Sequence, residues 1–177
     1  MLKITSGIYG GRKLVQPKTN KTRPVMERTR HAIFQVLGEL AGFDVLDLYA
    51  GSGALGLESV SLGAHSVTFV DTARVAMDAI KTNCKTLEIT AKIIVVNSKV
   101  ENFVKSSESK YDLIFFDPPY AEFDPRHVKL TTELLKPNGT LVVSCSSKTE
   151  LLEKYGKAEL IKIKKYGDTQ IAYYKQL

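Results

Sequence analysis

The stretch from Phe43 to Glu58 limits what this chain can fold into more than any other. Its first half, Phe43-Asp44-Val45-Leu46-Asp47-Leu48-Tyr49, is strand-like. Its second half, Ala50-Gly51-Ser52-Gly53-Ala54-Leu55-Gly56-Leu57-Glu58, puts glycines at 51, 53 and 56 in G-x-G-x-x-G order between a strand and a helix. That arrangement lets a nucleotide-like ligand approach the backbone at a helix N-terminus.

The remaining chain continues the alternation. Strands are expected near 43–48, 66–70, 92–96, 111–116 and 139–145, with helices near 54–62, 73–86, 99–106 and 126–135. Two last strands, near 157–164 and 170–175, are separated only by a Gly167-Asp168 turn and must be antiparallel. This pattern predicts an α/β, Rossmann-like fold. Its sheet should have seven strands, mostly parallel, with an antiparallel last strand and helices on both faces. Ahead of it, residues 2–7 and 11–16 are expected to pair as a hairpin around Tyr9-Gly10. A helix over about 25–40 should show Met26, Ile33, Phe34 and Leu37 as its apolar stripe. At 177 residues the chain suits one domain, with 1–40 as a basic hairpin and helix and 41–177 as the core.

The second informative element is Asp117-Pro118-Pro119-Tyr120, directly after the apolar run Tyr111-Asp112-Leu113-Ile114-Phe115-Phe116. It falls at the carboxyl end of a strand, where open α/β sheets place their ligand crevice. Two prolines fix φ and donate no N–H, so the corner is stiff and offers backbone carbonyls as acceptors. A carboxylate, a carbonyl and an aromatic ring on one rigid corner suit an amine attached to a flat base.

Asp71 ends the strand Ser66-Val67-Thr68-Phe69-Val70, twenty residues past Gly51, and can accept from ribose hydroxyls. These features alone also allow a nicotinamide or flavin enzyme. Charge separates the two readings. Asp47 precedes the glycine loop, and its negative charge would oppose a pyrophosphate at the helix start. S-adenosylmethionine has no phosphate and carries a sulfonium and an ammonium, which Asp47 favours. The expected cofactor set is Asp47, Tyr49, Gly51, Gly53, Asp71, Thr72, Asn97, Ser98 and Asp117. Thr72 and Ser98 could instead serve as helix caps.

Net charge is +6, unevenly spread. Residues 1–30 hold eight Lys or Arg against one acid, residues 31–147 are net −4, and the last thirty are net +3. An acidic cofactor-binding middle framed by basic ends suits a polyanion held beside a cationic cofactor. Lys3, Arg12, Lys13, Lys18, Lys21, Arg23, Arg28 and Arg30 are the candidate RNA contacts. His31, His65 and His127 are scattered, so no metal site is expected. Cys84 and Cys145 suggest neither a disulfide framework nor a nucleophile. No signal-like or membrane-length apolar span is present, so a cytoplasmic protein without membrane contact is expected.

Asp47-Leu48-Tyr49-Ala50-Gly51-Ser52-Gly53, Asp117-Pro118-Pro119-Tyr120, and the block Arg23-Pro24 with Glu27-Arg28-x-Arg30 together resemble the RsmD family of bacterial 16S ribosomal RNA guanine-N2 methyltransferases. The resemblance runs from the glycine-rich opening Ile4 to Leu14 through to the end. Val25 and His31 depart from the family pattern. The resemblance implies S-adenosylmethionine as cofactor and 16S RNA in the small-subunit particle as partner; a monomer is expected. It also implies Asp117, Pro118, Pro119 and Tyr120 as the catalytic corner. Motif chemistry gives the atom type only: adenine N6 and cytosine N4 use the same logic, and guanine N2 rests on the family. A nicotinamide-dependent oxidoreductase and a non-enzymatic RNA-binding factor are the readings from other classes.

Overall fold

The computed structural model describes residues 2–17 and 27–177. The expectations placed on Lys18, Lys21, Arg23 and Met26 lie outside the described residues. Eight strands form one sheet: β1 (Asp44–Leu48), β2 (Ser66–Asp71), β3 (Lys92–Asn97), β4 (Tyr111–Phe116), β5 (Leu135–Ser146), β6 (Lys154–Tyr155), β7 (Ala158–Tyr166) and β8 (Thr169–Gln176). Their spatial order is β3-β2-β1-β4-β5-β8-β7-β6. The first five are parallel, and β8, β7 and β6 join antiparallel. The direction of strand addition reverses between β1 and β4, which is the switch point that opens a crevice beyond their carboxyl ends.

Helices α1 (Glu27–Leu37), α2 (Ala54–Ser61) and α3 (Arg74–Thr86) cover one face. On it Ile33, Phe34, Leu57 and Ile80 pack against Val45, Phe69, Phe115 and Tyr173. Helices α4 (Val100–Ser106) and α5 (Pro125–Thr131) cover the other, where Val100, Val104 and Val128 meet Leu46, Ile114, Phe116 and Tyr174. Because both faces are covered, β1 and β4 read as nearly continuous apolar runs and not as alternating ones.

Three expectations change in detail. The sheet has eight strands and not seven, because the two-residue β6 pairs with Ala158 and Glu159. The helix expected over 126–135 ends at Thr131 and closes in a single 3-10 turn, Thr132–Leu134. The chain must already be extended at Leu135 to pair with Tyr111. The amino-terminal hairpin pairs as expected but through one bridge, Lys3 with Lys13, and forms no regular strands. Ile4 N–H donates to the Arg12 carbonyl and Leu14 N–H to the Leu2 carbonyl, both at 2.9 Å. Leu2, Ile4 and Leu14 turn into the core while Lys3 and Lys13 stay exposed, the period-two pattern of an extended pair.

The hairpin is fastened to α2 by a buried carboxylate. Glu58 accepts from the Thr5 N–H at 2.9 and 3.0 Å, the Thr5 hydroxyl at 2.6 Å, the Ser6 N–H at 2.7 Å and the Ser6 hydroxyl at 2.9 Å. Arg30 Nε donates to it at 3.2 Å, and a guanidinium nitrogen of Arg30 also reaches the Lys3 carbonyl. Both side chains are buried, Arg30 at 1% and Glu58 at 0% exposure. Removing one partner leaves the other as an uncompensated buried charge. Arg30→Ala is therefore expected to cost roughly 3–5 kcal/mol of stability in urea melts. Lys3→Ala, which breaks a half-exposed pair with Glu27 at 3.4 Å, should cost at most about 1 kcal/mol.

Candidate active site

The strand register brings the two sequence motifs together. Leu48 on β1 lies beside Phe116 on β4 and Val70 on β2, and Asp71 lies beside Asn97 on β3. The glycine loop, Asp71, Asn97-Ser98 and Asp117-Pro118-Pro119-Tyr120 thus emerge side by side along one edge of the sheet. At the opposite edge Lys136 Nζ bridges Asp44 at 2.7 Å and Asp112 at 2.8 Å, clamping β1 and β4 away from the crevice.

Within the loop, Gly56 and Gly51 serve different needs. A Cβ on Gly56 would lie 2.3 Å from a Phe69 ring carbon and 2.8 Å from a Val67 methyl, so only glycine lets α2 lie against β2. Gly51 has φ +54 and nothing nearer its Cβ direction than the Tyr49 carbonyl oxygen at 3.9 Å, so here glycine serves the turn and leaves space. The Asp71 carboxylate holds this turn in shape, accepting the Gly51 N–H with one oxygen and the Ala73 N–H with the other, each at 2.8 Å. Asn97 donates to the Asp71 carbonyl at 3.1 Å. The buried Asn83 on α3 adds a second clamp. It donates to the Ser52 carbonyl at 3.1 Å and the Val15 carbonyl at 3.0 Å, and accepts the Val15 N–H at 2.7 Å.

Asp47 is not at an open mouth, as its place before the loop suggests. It is 1% exposed beneath the loop, accepting the Gly56 N–H at 2.9 Å. Burial pushes its carboxyl well above the ordinary range, and the charges of Asp117 and Asp71 push it further. Asp117, at the rim of the crevice, is raised to about 6 by burial, with the nearby Ser144 hydroxyl opposing the rise. Asp47, Asp71 and Asp117 thus converge at the ends of β1, β2 and β4, with the other two repelling the charged form of Asp47. A cationic ligand relieves that repulsion and a phosphate aggravates it.

The rigid corner forms, with one change to its carbonyls. The Pro119 carbonyl accepts the Glu122 N–H at 2.8 Å, while the Pro118 carbonyl accepts no backbone N–H among the described residues. Tyr120 opens a 3-10 turn (Tyr120–Glu122) with its side chain 45% exposed, and its hydroxyl is bonded to that of Thr169 at the start of β8. Tyr49 stands edge-on to Phe116 with centroids 5.3 Å apart, and burial lifts its phenol to about 12, so it stays neutral.

Other placements differ from expectation. Neither Thr72 nor Ser98 caps a helix: Ala73 and Lys99 occupy those positions, and the Ser98 hydroxyl donates to the Lys99 carbonyl. Arg30 cannot reach a phosphate from its buried pair with Glu58. Arg12, Lys13 and Arg28 are exposed, although a guanidinium nitrogen of Arg12 also bonds the Thr86 carbonyl at 2.8 Å. Among the described residues no group of His, Cys, Asp or Glu is placed to hold a metal. Both thiols are free and raised by burial.

Sequence reasoning missed Glu58, Asn83 and Thr169. Asn83 had a signal, since it continues the stripe Ala76, Ala79, Ile80 at helical spacing. Glu58 and Thr169 act through contacts with residues about fifty positions away, which no local pattern reports.

The fold and this acidic, glycine-lined crevice are those of a class I methyltransferase. The family model described as Conserved hypothetical protein 95 matches residues 2–175, and the chain belongs to that family, the RsmD family. YlbH of Bacillus subtilis is 32% identical over 182 residues, covering 99% of both chains. Ribosomal RNA small subunit methyltransferase D of Escherichia coli K12 is 33% identical over 141 residues, covering 79% of this chain and 69% of that protein. Among solved structures, yhhF of Escherichia coli superposes with a TM-score of 0.88 at 27% identity, covering 99% of this chain and 97% of that one. HI0767 of Haemophilus influenzae gives 0.82 at 29%, covering 99% and 98%.

Calorimetry is expected to show binding of S-adenosylmethionine and of its demethylated product, and none of NADH. Asp71→Ala should weaken cofactor binding by roughly 1.5–3 kcal/mol, because it removes a charged acceptor and frees the loop it holds.

Proposed function

We propose that this protein methylates the exocyclic N2 amine of a guanine in 16S ribosomal RNA, acting in the cytoplasm as a monomer on the small-subunit particle or its RNA. The observation that carries the reading is the corner at Asp117. A carboxyl and the Pro118 carbonyl stand at the crevice rim, beside a glycine loop ringed with acids. The naming of the Escherichia coli relative supports small-subunit RNA as substrate. Among the described residues no helix is long and apolar enough to cross a membrane. Residues 1–40 are read as RNA-contacting and 41–177 as the catalytic core.

Bound S-adenosylmethionine supplies an electrophilic methyl on a sulfonium. Asp71 and the loop N–H groups not already bonded would hold its ribose and methionine ends, and the buried acids would favour its positive charge. The exocyclic amine is a poor nucleophile because its lone pair is delocalised into the ring. Asp117 and the Pro118 carbonyl accept hydrogen bonds from its two N–H groups, turning the lone pair out of the ring plane toward the methyl, and the proton shed as the N–C bond forms and the S–C bond breaks passes to Asp117 or to water. These acceptors are fixed by two prolines before the base arrives, so no reorganisation is needed during transfer. Much of the remaining rate comes from alignment. Tyr120, tethered to Thr169, offers its ring face to the extruded base.

Single-turnover methylation of small-subunit RNA should rise with pH through about 6 as Asp117 ionises, then level off. Asp117→Asn should keep RNA affinity and lose both the rate and this pH step. The raised pKa means the folded chain holds a proton between pH 3.8 and about 6 that the unfolded chain has lost. Stability therefore falls as pH rises across that window, and Asp117→Asn should flatten the fall in melting curves. Tyr120→Ala should lose about 1–3 kcal/mol of base binding, while Tyr120→Phe keeps the ring face. A folded Asp117→Asn variant with a normal rate would take the corner out of the mechanism.

Nucleoside mass mapping of ribosomal RNA from a deletion strain tests the base. One N2-methylguanosine should disappear from 16S RNA. Loss of an N6-methyladenosine or N4-methylcytidine instead would reassign the substrate.

A further inference from the structure

The basic residues of the β7–β8 hairpin are not evenly neutralised. At its far end Lys154 pairs with Glu159 and Lys157 with Glu133, each at 2.9 Å. Toward the crevice, Lys162, Lys164 and Lys165 on β7 make no ion pair among the described residues, and neither does Lys148 after β5. Asp168, in the turn that joins the two strands, is the one acid within this end of the hairpin.

The register shows where these lysines point. Lys162 lies opposite Tyr173, Lys164 opposite Ile171 and Tyr166 opposite Thr169. Cross-strand partners share a face. Tyr173 and Ile171 belong to the cluster beneath α1, so Lys162, Lys164 and Tyr166 form a row on that same face. The row ends at Thr169, whose hydroxyl is bonded to Tyr120. It thus runs along the sheet straight to the aromatic ring of the candidate active site.

The outer side of β7 is also open. β6 pairs only with Ala158 and Glu159, and past the Leu160 N–H, which donates to the Glu153 carbonyl, no strand covers β7 among the described residues. Ile161 and Ile163 on this stretch are 57% and 40% exposed. An open edge carrying lysines could merely be protected against strand pairing. Edge protection does not explain why the lysines near Tyr120 are left unpaired while those at the far end are neutralised.

We propose that Lys162 and Lys164, with Tyr166 at their end and with Lys165 opposite Gln170 on the other face of the same open strand, form a second RNA-contact surface that takes the phosphates of the strand whose target base enters beside Tyr120. This rests on the RNA-methylating reading above, and it places substrate contacts at the carboxyl-terminal end of the chain as well as the amino-terminal one. None of these residues touches the reacting atoms; they hold and steer the strand.

The test is a triple variant, K162Q/K164Q/K165Q, in the full chain with small-subunit RNA. The slope of log affinity against log salt should become shallower by about 0.7 for each phosphate no longer neutralised, hence by about 1.4–2.1 for two or three phosphates. The RNA concentration for half-maximal single-turnover rate should rise at least tenfold, with the rate at saturation unchanged. Arginine at the same three positions should restore the slope. In wild-type protein, ultraviolet crosslinking to thiouridine-substituted RNA should mark residues 162–166. An unchanged slope in a folded triple variant, or crosslinks confined to other segments, overturns the proposal. So does a wild-type dimer that I161T/I163T disperses, which would seat a second copy on the edge. If wild-type protein methylates no ribosomal RNA at all, it is the proposed function that fails.

Discussion

The seating of the amino-terminal hairpin and of α1 on the sheet depends on one buried carboxylate. Glu58 lies on the helix that follows the glycine loop, yet its bonds go to Thr5, Ser6 and Arg30. Ionised groups are seldom fully buried unless they are fully bonded, and this one accepts from four donors of the hairpin, one of them shared between its two oxygens, and from one on α1. The hairpin itself has one bridge and few residues, too little to be stable alone. Its exposed cations therefore sit where they do because a residue of the cofactor-binding unit holds their backbone in place.

The crevice carries the opposite electrostatic character. Asp47, Asp71 and Asp117 are brought together by three parallel strands whose register is fixed by apolar packing on both faces. That packing is strong enough to impose the burial, and behind it the repulsion, that raise the carboxyl of Asp47, beside an Asp117 raised by burial. Strain of this kind persists where function needs it. The exposed cations of the hairpin and of β7 lie outside this acidic pocket, so the ground suited to a polyanion and the pocket suited to a cation are built from different elements.

Most of the fold was legible because it is written in local patterns. Strands β1 to β4 and helices α2 to α4 lie within a residue or two of their expected bounds, since each has a clear apolar run or stripe and a Gly or Asx boundary. The two motifs announce the site because glycine spacing and consecutive prolines have few other uses. Orientations and partners are harder to read. The charge of Arg30 suggests an RNA contact, although it falls three and four residues before Ile33 and Phe34, on the buried stripe. The place of Asp47 near a strand end suggests a surface acid, although it lies on a stretch that is buried from Val45 to Leu48. In both cases periodicity holds the better answer than residue type. The tether of Tyr120 to Thr169 and the two-residue β6 depend on pairing across the sheet and leave no trace in sequence.

Asn83 has a further consequence. Its single amide holds the Val15 backbone of the amino-terminal segment and the Ser52 carbonyl of the glycine loop at once. The two segments are thereby coupled through one side chain, and fluctuations of either are felt by the other. A ligand that orders one of them lowers the entropy the other must lose when its own ligand arrives. Because such coupling is reciprocal in free energy, a ligand seated on the hairpin and one seated in the loop would strengthen each other by the same factor.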